Sequence, residues 1–442
     1  MQNINGKKAL RVVFFITTLI IITALSLSSC TAGSKKILSK DELRENIGKE
    51  VRTLSAVWQY FDAWNFPLFD KTKFKSIENA FTTYYYLDMP GIKEHAESSA
   101  HYFLDTYYDI TDLADAEAVT DALIKSYVHS VGDRYSRYMT ANEYGSHKND
   151  IDGEFVGIGV TVTREADHLY VNYVIEEGGA DEAGIKVGDK IVAVNGTSVA
   201  QIGAGEAINR IGGESGTTVT LTVEREEKAF DLTVTRKLIV DKTVNYSIEG
   251  GIAYLQITSF KDNTDEQFKE AINAILSSDV RGIIYDLRDN TGGTLDSVVN
   301  ILDYITEDGV TITSFSNGAG DPMIANDGHS FSLPSVVITN GYTASAAELF
   351  TAGLCDFSDM GQFECITVGT VTYGKGVMQR TFRLRDGSAI TITVAYYNPP
   401  SGENYHGVGI IPDYPVEKGE NDLQLDEAYA RINQIINSQE IH

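Results

Sequence analysis

Val336-Val337-Ile338-Thr339-Asn340-Gly341-Tyr342-Thr343-Ala344-Ser345-Ala346-Ala347-Glu348 begins as a β-branched apolar run, breaks at Asn-Gly and continues as small, helix-favouring residues. A run that apolar predicts a strand covered on both faces, which is the condition of a parallel sheet packed between helices. Ser345 then falls at the start of a helix, where unpaired N–H groups and the helix dipole favour a developing oxyanion. Taken alone, a serine there is more often a helix cap than a nucleophile.

Working upstream, Gly282 to Leu287 reads as a second doubly buried strand, and Asp286-Leu287-Arg288-Asp289-Asn290-Thr291-Gly292-Gly293 leads from it into a helix over Thr294 to Ile305. Ile252 to Thr258 reads as another strand. Thr264 and Gln267 suggest a capping box before the apolar stripe Phe268, Ala271, Ile272, Ile275 and Leu276. Strands alternating with helices predict a βαβ core with a mostly parallel sheet. In such sheets ligands gather at the carboxyl ends of the strands, so the two loops just quoted are where chemistry is expected.

A serine hydroxyl needs a base to act as a nucleophile. The chain has eight histidines, none in a recognisable catalytic setting. A lysine serves instead if burial disfavours its ammonium form. Thr370-Val371-Thr372-Tyr373-Gly374-Lys375-Gly376-Val377-Met378-Gln379 offers Lys375 between two glycines, although a lone lysine is more often a solvated surface group. Beyond it, Met378 to Arg385 and Ser388 to Tyr396 alternate around Asp386-Gly387 and predict a hairpin.

From Gly153 to about Arg236 the texture is short strands with glycine turns. Phe155-Val156-Gly157-Ile158-Gly159-Val160 reads as a loop, and Ala183-Gly184-Ile185-Lys186-Val187-Gly188-Asp189-Lys190-Ile191-Val192-Ala193-Val194-Asn195-Gly196 follows, with a short helix near Glu206 to Ile211. The combination resembles a PDZ domain. Gly157 and Gly159 would let the amides of residues 157 to 160 converge on a carboxylate. The adjoining strand edge would accept an extended peptide by strand addition.

The amino-terminal part is predicted to be helical between Lys40 and about Ser130, including Val51 to Phe66 and Ala116 to Val131, and to close at Gly132-Asp133-Arg134-Tyr135-Ser136-Arg137-Tyr138-Met139-Thr140. Before it, Lys7, Lys8 and Arg11 precede the apolar run Val12 to Leu27 and Ser28-Ser29-Cys30, a secretory signal pattern. The small residues before Cys30 resemble a bacterial lipobox, which implies lipidation of Cys30 and an extracytoplasmic chain; a plain signal peptide is the alternative. Cys355 and Cys365 would then sit where disulfides persist, and a bridge and two buried thiols are equally open. A formal charge of −26 over 442 residues excludes a nucleic-acid surface, since phosphate binding needs cations.

In series, the Thr-Gly-Gly loop, Thr343 to Glu348, Tyr373 to Gln379 and Gly407-Val408-Gly409-Ile410-Ile411-Pro412-Asp413 resemble the motifs of the C-terminal processing (tail-specific) serine proteases. With the PDZ-like region in the same order, the resemblance covers roughly Gly132 to Glu417. It implies an α/β multidomain chain: a ClpP/crotonase-like βαβ protease core, an inserted PDZ-like β-rich domain and an N-terminal helical domain. The expected boundaries are 1–29 signal peptide, 30–140 tether and helical domain, 150–238 PDZ-like domain, 239–430 core and 431–442 tail. It makes Ser345 the nucleophile, Lys375 the general base and Gln379 the residue that orients the lysine. The amides of Ala346 and of Gly292 or Gly293 would form the oxyanion hole, with Asp356 a structural support. No metal or cofactor is implied, and no zinc signature such as HExxH occurs. Expected partners are proteins with free, apolar C-termini, the membrane through the lipid anchor, and a second copy of the chain. The expected location is the bacterial cell envelope, facing the periplasm. An inactive PDZ scaffold and a crotonase-like acyl-transforming enzyme are the competing readings.

Overall fold

The computed structural model describes residues 116–439, apart from 317, 318 and 420, together with Thr72, Lys73, Ser76, Ile77, Ala80 and Thr83. The signal segment, Cys30 and the helical stretch Val51 to Phe66 lie outside the described residues. The chain divides into two compact units, Met1–Ala141 with Gln379–Val394, and Asn142–Met378 with Ala395–His442.

In the first unit α1 (Ala116–Ser130) is the helix that the amino-terminal pattern predicts, and β1 (Arg137–Met139) is a strand within the segment read only as its closing turn. The turn between them is closed by Asp133, which accepts hydrogen bonds from the Tyr135 amide (2.9 Å) and the Ser136 hydroxyl (2.6 Å).

The second unit opens with α2 (Ala141–Asp152) and β2 (Glu154–Gly157). A β-rich region follows: β3 (Val160–Arg164), β4 (Leu169–Val174), α3 (Gly179–Glu182), β5 (Lys190–Val194), β6 (Thr197–Ser198), α4 (Val199–Ile202), α5 (Ala204–Ile211), β7 (Thr218–Arg225), β8 (Lys228–Thr235) and β9 (Lys237–Val240). Its sheet runs β3-β4-β5-β7-β8, with β6 beside β5. Leu169, Val171, Ile191, Val194, Leu221, Val223 and Val234 alternate inward from four of these strands to make its core. Buried Asp189 is paired with Arg225, which also reaches the Gly184 carbonyl and so ties the glycine turn to β7. The antiparallel pair β2–β9 carries the chain into and out of this region. The segment read as a loop over Phe155 to Val160 is therefore half strand: its first part is fixed by the ladder with β9, and only Ile158-Gly159 turn.

The core continues with β10 (Val244–Glu249), β11 (Ile252–Ile257), α6 (Thr264–Leu276), β12 (Gly282–Asp286), α7 (Leu295–Ile305), β13 (Thr311–Phe315), β14 (Met323–Ile324), β15 (Ser335–Thr339), α8 (Ala346–Asp359), β16 (Cys365–Gly369), β17 (Val377–Arg383), β18 (Ala389–Asn398), β19 (Tyr414–Pro415) and α9 (Leu423–Gln439). The sheet order is β10-β11-β12-β15-β16-β19, with β10 antiparallel and the other pairings parallel. Ile283, Tyr285 and Val337 face α6, α7 and α8, while Ile284, Val336 and Ile338 face α9. That two-sided burial is why β12 and β15 read as unbroken apolar runs.

Two expectations are corrected. Residues 431–439, expected to belong to a C-terminal tail, are the end of α9, which buries Ile432, Ile435 and Ile436 against the sheet. At roughly 1.5–3 kcal/mol per buried isoleucine side chain, these residues hold the helix down. Thr264 and Gln267 form no capping box, because the N-cap is Asn263. The Thr264 hydroxyl accepts from the Lys261 amide, and the Gln267 side chain bonds Thr243 and Asp241, so both serve the loop rather than the helix end. The hairpin is present: β17 pairs with β18, and Gly387 takes the positive φ of its turn. Beyond the hairpin, Ser314 and Phe315 of β13 pair with Asn398 and Tyr397.

Candidate active site

Parallel strands bring the loops after β12, β15 and β16 to one end of the sheet. Asp289 and Asn340 bond reciprocally, backbone amide to side-chain oxygen (3.1 Å) and side-chain amide to carboxylate (2.9 Å). The Thr343 hydroxyl donates to the Leu287 carbonyl (2.8 Å), the Ala344 amide to the Asn290 carbonyl (3.0 Å) and the Tyr373 amide to the Thr343 carbonyl (3.0 Å). Each bond joins two different loops, so the three are held as one body.

Ser345 is the residue bent by this arrangement. It is the N-cap of α8 with φ 58° and ψ −119°, a conformation that costs a non-glycine residue of order 1–3 kcal/mol. Such strain persists only where neighbours over-determine it, and here they do. The main agent is Glu348, fully buried one turn into α8. One of its carboxyl oxygens accepts from the amides of Ser345 and Lys375, both at 2.8 Å. The other accepts from the Gly374 amide (2.6 Å) and the Thr372 hydroxyl (2.5 Å). A single side chain therefore binds Ser345 and the Lys375 loop together. Both residues are half-buried.

The amide of Ala346 opens α8. The Ser345 carbonyl turns into the helix to accept from Glu348 (2.9 Å) and Leu349 (3.0 Å), and a trans peptide aims its N–H opposite to its C=O, so the Ala346 N–H points out of the helix start. Gly292 presses against the same corner, where an added Cβ would stand 2.7 Å from both the Ala344 carbonyl oxygen and the Ser345 Cβ. Its amide is taken by the Asn290 side chain (2.9 Å). The Gly292 carbonyl accepts from the Phe260 amide, which turns the Gly293 N–H away from Phe260. Of the two glycines, one of which was expected to supply the second oxyanion amide, Gly293 is thus the one whose amide is not committed to Asn290.

Behind Lys375 the Gly407 to Asp413 segment acts as a brace. Ile410 donates its amide to the Thr372 hydroxyl (2.7 Å), Gly407 donates to the Gly374 carbonyl (2.9 Å), and Asp413 accepts from both amide and hydroxyl of Thr367. Gly374 has φ 85°, and a Cβ there would strike the Gly409 amide nitrogen at 2.9 Å. The Tyr397 hydroxyl donates to the Lys375 carbonyl (2.8 Å), and the Gly376 amide to His406 Nδ1 (3.3 Å). Tyr342 on the Ser345 loop, and Val408 and Ile411 on the brace, are 69, 69 and 68% exposed.

The remaining sequence-predicted residues are placed as follows. Gln379 lies on β17 in the first unit and its Nε2 donates to the Thr393 hydroxyl (3.4 Å). Asp356, on α8, accepts the Ser401 amide (2.8 Å), and burial raises its carboxyl above the usual range. Cys355 and Cys365 are free thiols; hydrogen bonding to Cys355 and burial push the Cys365 thiol well up. In the small β-rich region, Gly157, Ile158 and Gly159 are buried and Val160 begins β3, the edge strand of its sheet. The Ile158 and Gly159 carbonyls accept from Ala180 (2.7 Å) and Ile175 (2.9 Å). By the same trans-peptide rule the Gly159 and Val160 amides face the other way.

Residues 251–416 match Peptidase family S41, and residues 147–224 match the PDZ domain. A probable CtpA-like serine protease of Staphylococcus saprophyticus is 31% identical over 318 residues, 71% of this chain and 63% of the relative. Residues 251–416 of the chain are a peptidase family S41 domain. A second relative, a probable CtpA-like serine protease of Staphylococcus aureus, is 30% identical over 307 residues, 69% of this chain and 61% of its own length. The chain therefore spans less than two thirds of either relative. The photosystem II D1 C-terminal processing protease is a solved structure with TM-score 0.46 and 24% identity, over 81% of this chain and 95% of that one.

Glu348 is the site residue that sequence reasoning passed over. Its signal was present: Ser345-Ala-Ala-Glu348 has capping-box spacing, and Glu348 is the one charge in the first turn of an apolar helix. Asn290 and Thr372 carried no comparable signal. Among the described residues one acidic group could surround a cation, Asp303, Asp308 and Asp327, and it shares no residue with the loops above.

Proposed function

We propose that this S41 chain is a cell-envelope serine endopeptidase that holds the C-terminal tail of a substrate protein in its PDZ domain and cleaves upstream of it. Ser345 is the nucleophile, Lys375 the general base, and Gln379, four residues further along the chain, orients the lysine. The observation that carries this reading is the shared carboxyl oxygen of Glu348, which takes the amides of Ser345 and Lys375 at equal distance.

In this mechanism the lone pair of the uncharged Lys375 amine removes the Ser345 proton as Oγ bonds to the peptide carbonyl carbon. The negative charge that moves onto the carbonyl oxygen is met by the Ala346 and Gly293 amides and the start of α8. Collapse of the tetrahedral centre breaks the C–N bond, and the leaving amine takes the proton back from Lys375. Water, deprotonated by the same amine, then hydrolyses the ester and restores Ser345. The residues of this chain suffice for every step without a metal or cofactor. The core is proposed to be ClpP/crotonase-like, with a helical amino-terminal domain before it. Lipidation at Cys30 would tether the chain to the membrane on the periplasmic side.

The edge strand β3 and the amides of Gly159 and Val160 support tail capture, since β-addition supplies the backbone ladder and outward amides supply a carboxylate site. The apolar rim at Tyr342, Val408 and Ile411 supports apolar substrate residues near the cleaved bond. Two peptides identical except for a free carboxylate or an amide at an apolar C-terminus test the whole reading. The free acid is expected to be cleaved at least about 10-fold faster, the value of one lost charge-assisted contact. Equal rates would remove the PDZ step, and tight binding of the acid without cleavage would leave an inactive tail-binding scaffold.

A further inference from the structure

The first unit holds a directional hydrogen-bond chain that ends on Gln379. Gln379 Nε2 donates to Thr393 Oγ1 (3.4 Å), and Thr393 Oγ1 donates to Asp133 Oδ2 (2.7 Å). Ser136 Oγ donates to the same oxygen (2.6 Å) and accepts the Thr393 backbone N–H (3.1 Å). Thr393 is fully buried and Ser136 nearly so. Every proton in the chain points towards Asp133.

That direction has a chemical consequence. A carboxylate only accepts, and a hydroxyl has one proton to give. Asp133 takes the Thr393 proton, so Thr393 can offer Gln379 only a lone pair, and a lone pair selects the N–H₂ end of the amide over its carbonyl end. The two ends are nearly equal in shape and opposite in chemistry, so packing alone distinguishes them poorly.

We propose that Asp133, acting through Thr393 and steadied by Ser136, fixes which end of the Gln379 amide faces Thr393, and that Asp133 and Thr393 are positioning residues for peptide hydrolysis. This rests on the Ser345/Lys375 reading, in which Gln379 orients the lysine. A carbonyl oxygen accepts an N–H from the amine and leaves its lone pair to face the Ser345 proton. A reversed amide would donate to that lone pair and occupy it. The Gly132 to Thr140 turn segment, far from Ser345 in sequence, thereby gains a role in the reaction.

The test uses the full chain and a tail-bearing peptide, with kcat, KM and the pH profile measured for wild type, Thr393→Val, Thr393→Ser, Asp133→Asn and Ser345→Ala, beside melting temperatures. Thr393→Val is expected to lower kcat about 10-fold, a typical share of a general-base contribution, with KM unchanged. Its acid limb is expected to move to lower pH, because a carbonyl stabilises the ammonium form and an N–H stabilises the neutral amine. Asp133→Asn is expected to shift in the same direction, and Thr393→Ser, which keeps the hydroxyl, to restore both values. A Thr393→Val profile that overlays wild type overturns the proposal. So does a loss of activity that tracks the melting temperature, leaves the acid limb in place and is not rescued by serine. Hydrolysis that is absent in wild type, or unchanged in Ser345→Ala, overturns the dyad and this proposal with it, whereas a Ser345-dependent rate with unmoved Thr393 variants overturns this proposal alone.

Discussion

Ser345→Ala is expected to lower peptide hydrolysis at least about 10³-fold while leaving capture of the substrate tail unchanged. The Glu348 carboxylate holds this residue by its backbone amide, a bond that alanine keeps. Alanine also pays the same strain at φ 58° as serine does. The melting temperature should therefore stay close to wild type, which separates loss of chemistry from loss of fold. Hydrolysis rates and tail-peptide binding measured on one preparation check both halves. A variant that still cleaves at the wild-type rate places the nucleophile elsewhere.

Glu348 is expected to matter nearly as much and for a different reason. Glu348→Ala leaves three backbone amides and the Thr372 hydroxyl without their acceptor, at roughly 1–3 kcal/mol for each buried unsatisfied group. Against a total stability of about 5–15 kcal/mol, that is a large fraction. Glu348→Gln keeps the volume but turns one acceptor into a donor. If that end faces Thr372, the hydroxyl already accepts from Ile410 and the Gly374 amide is left unpaired. The expected order of melting temperatures is wild type, Gln, Ala. Both variants should lose hydrolysis at least about 100-fold, since misplacing reacting groups by an ångström costs that much. A glutamine variant with wild-type rate would show that the carboxyl group is not what joins the two loops.

The parts of this molecule written in local pattern were legible before any coordinates. β12 and β15 announced themselves as unbroken apolar runs because helices cover both of their faces, and the helix read from Thr294 to Ile305 is α7, with Thr294 as its cap rather than its first residue. The glycine loop and Ser345 were legible because ligand sites in such sheets lie at strand ends. What stayed hidden depends on partners distant in sequence. Glu348 reads as an ordinary helix glutamate until the Lys375 loop folds over it. Thr264 and Gln267 have the spacing of a capping box but are claimed by Thr243 and Asp241 across the β10 loop. Residues 431–439 were read as part of a tail, yet Ile432, Ile435 and Ile436 at helical spacing bury one face of α9 there. Thr393 and Asp133 are 260 residues apart, a separation over which no local pattern operates.

The central claim is that the Ser345 hydroxyl, served by Lys375, becomes acylated. Incubating the full chain with a tail-bearing peptide whose cleavable bond is an activated ester, then quenching in acid and mapping the added mass by peptide fragmentation, tests it directly. The expected result is one acyl group on Ser345, none there in Ser345→Ala, and far slower uptake in Lys375→Met. An acyl group on another residue, or equal uptake by Ser345→Ala, would contradict it.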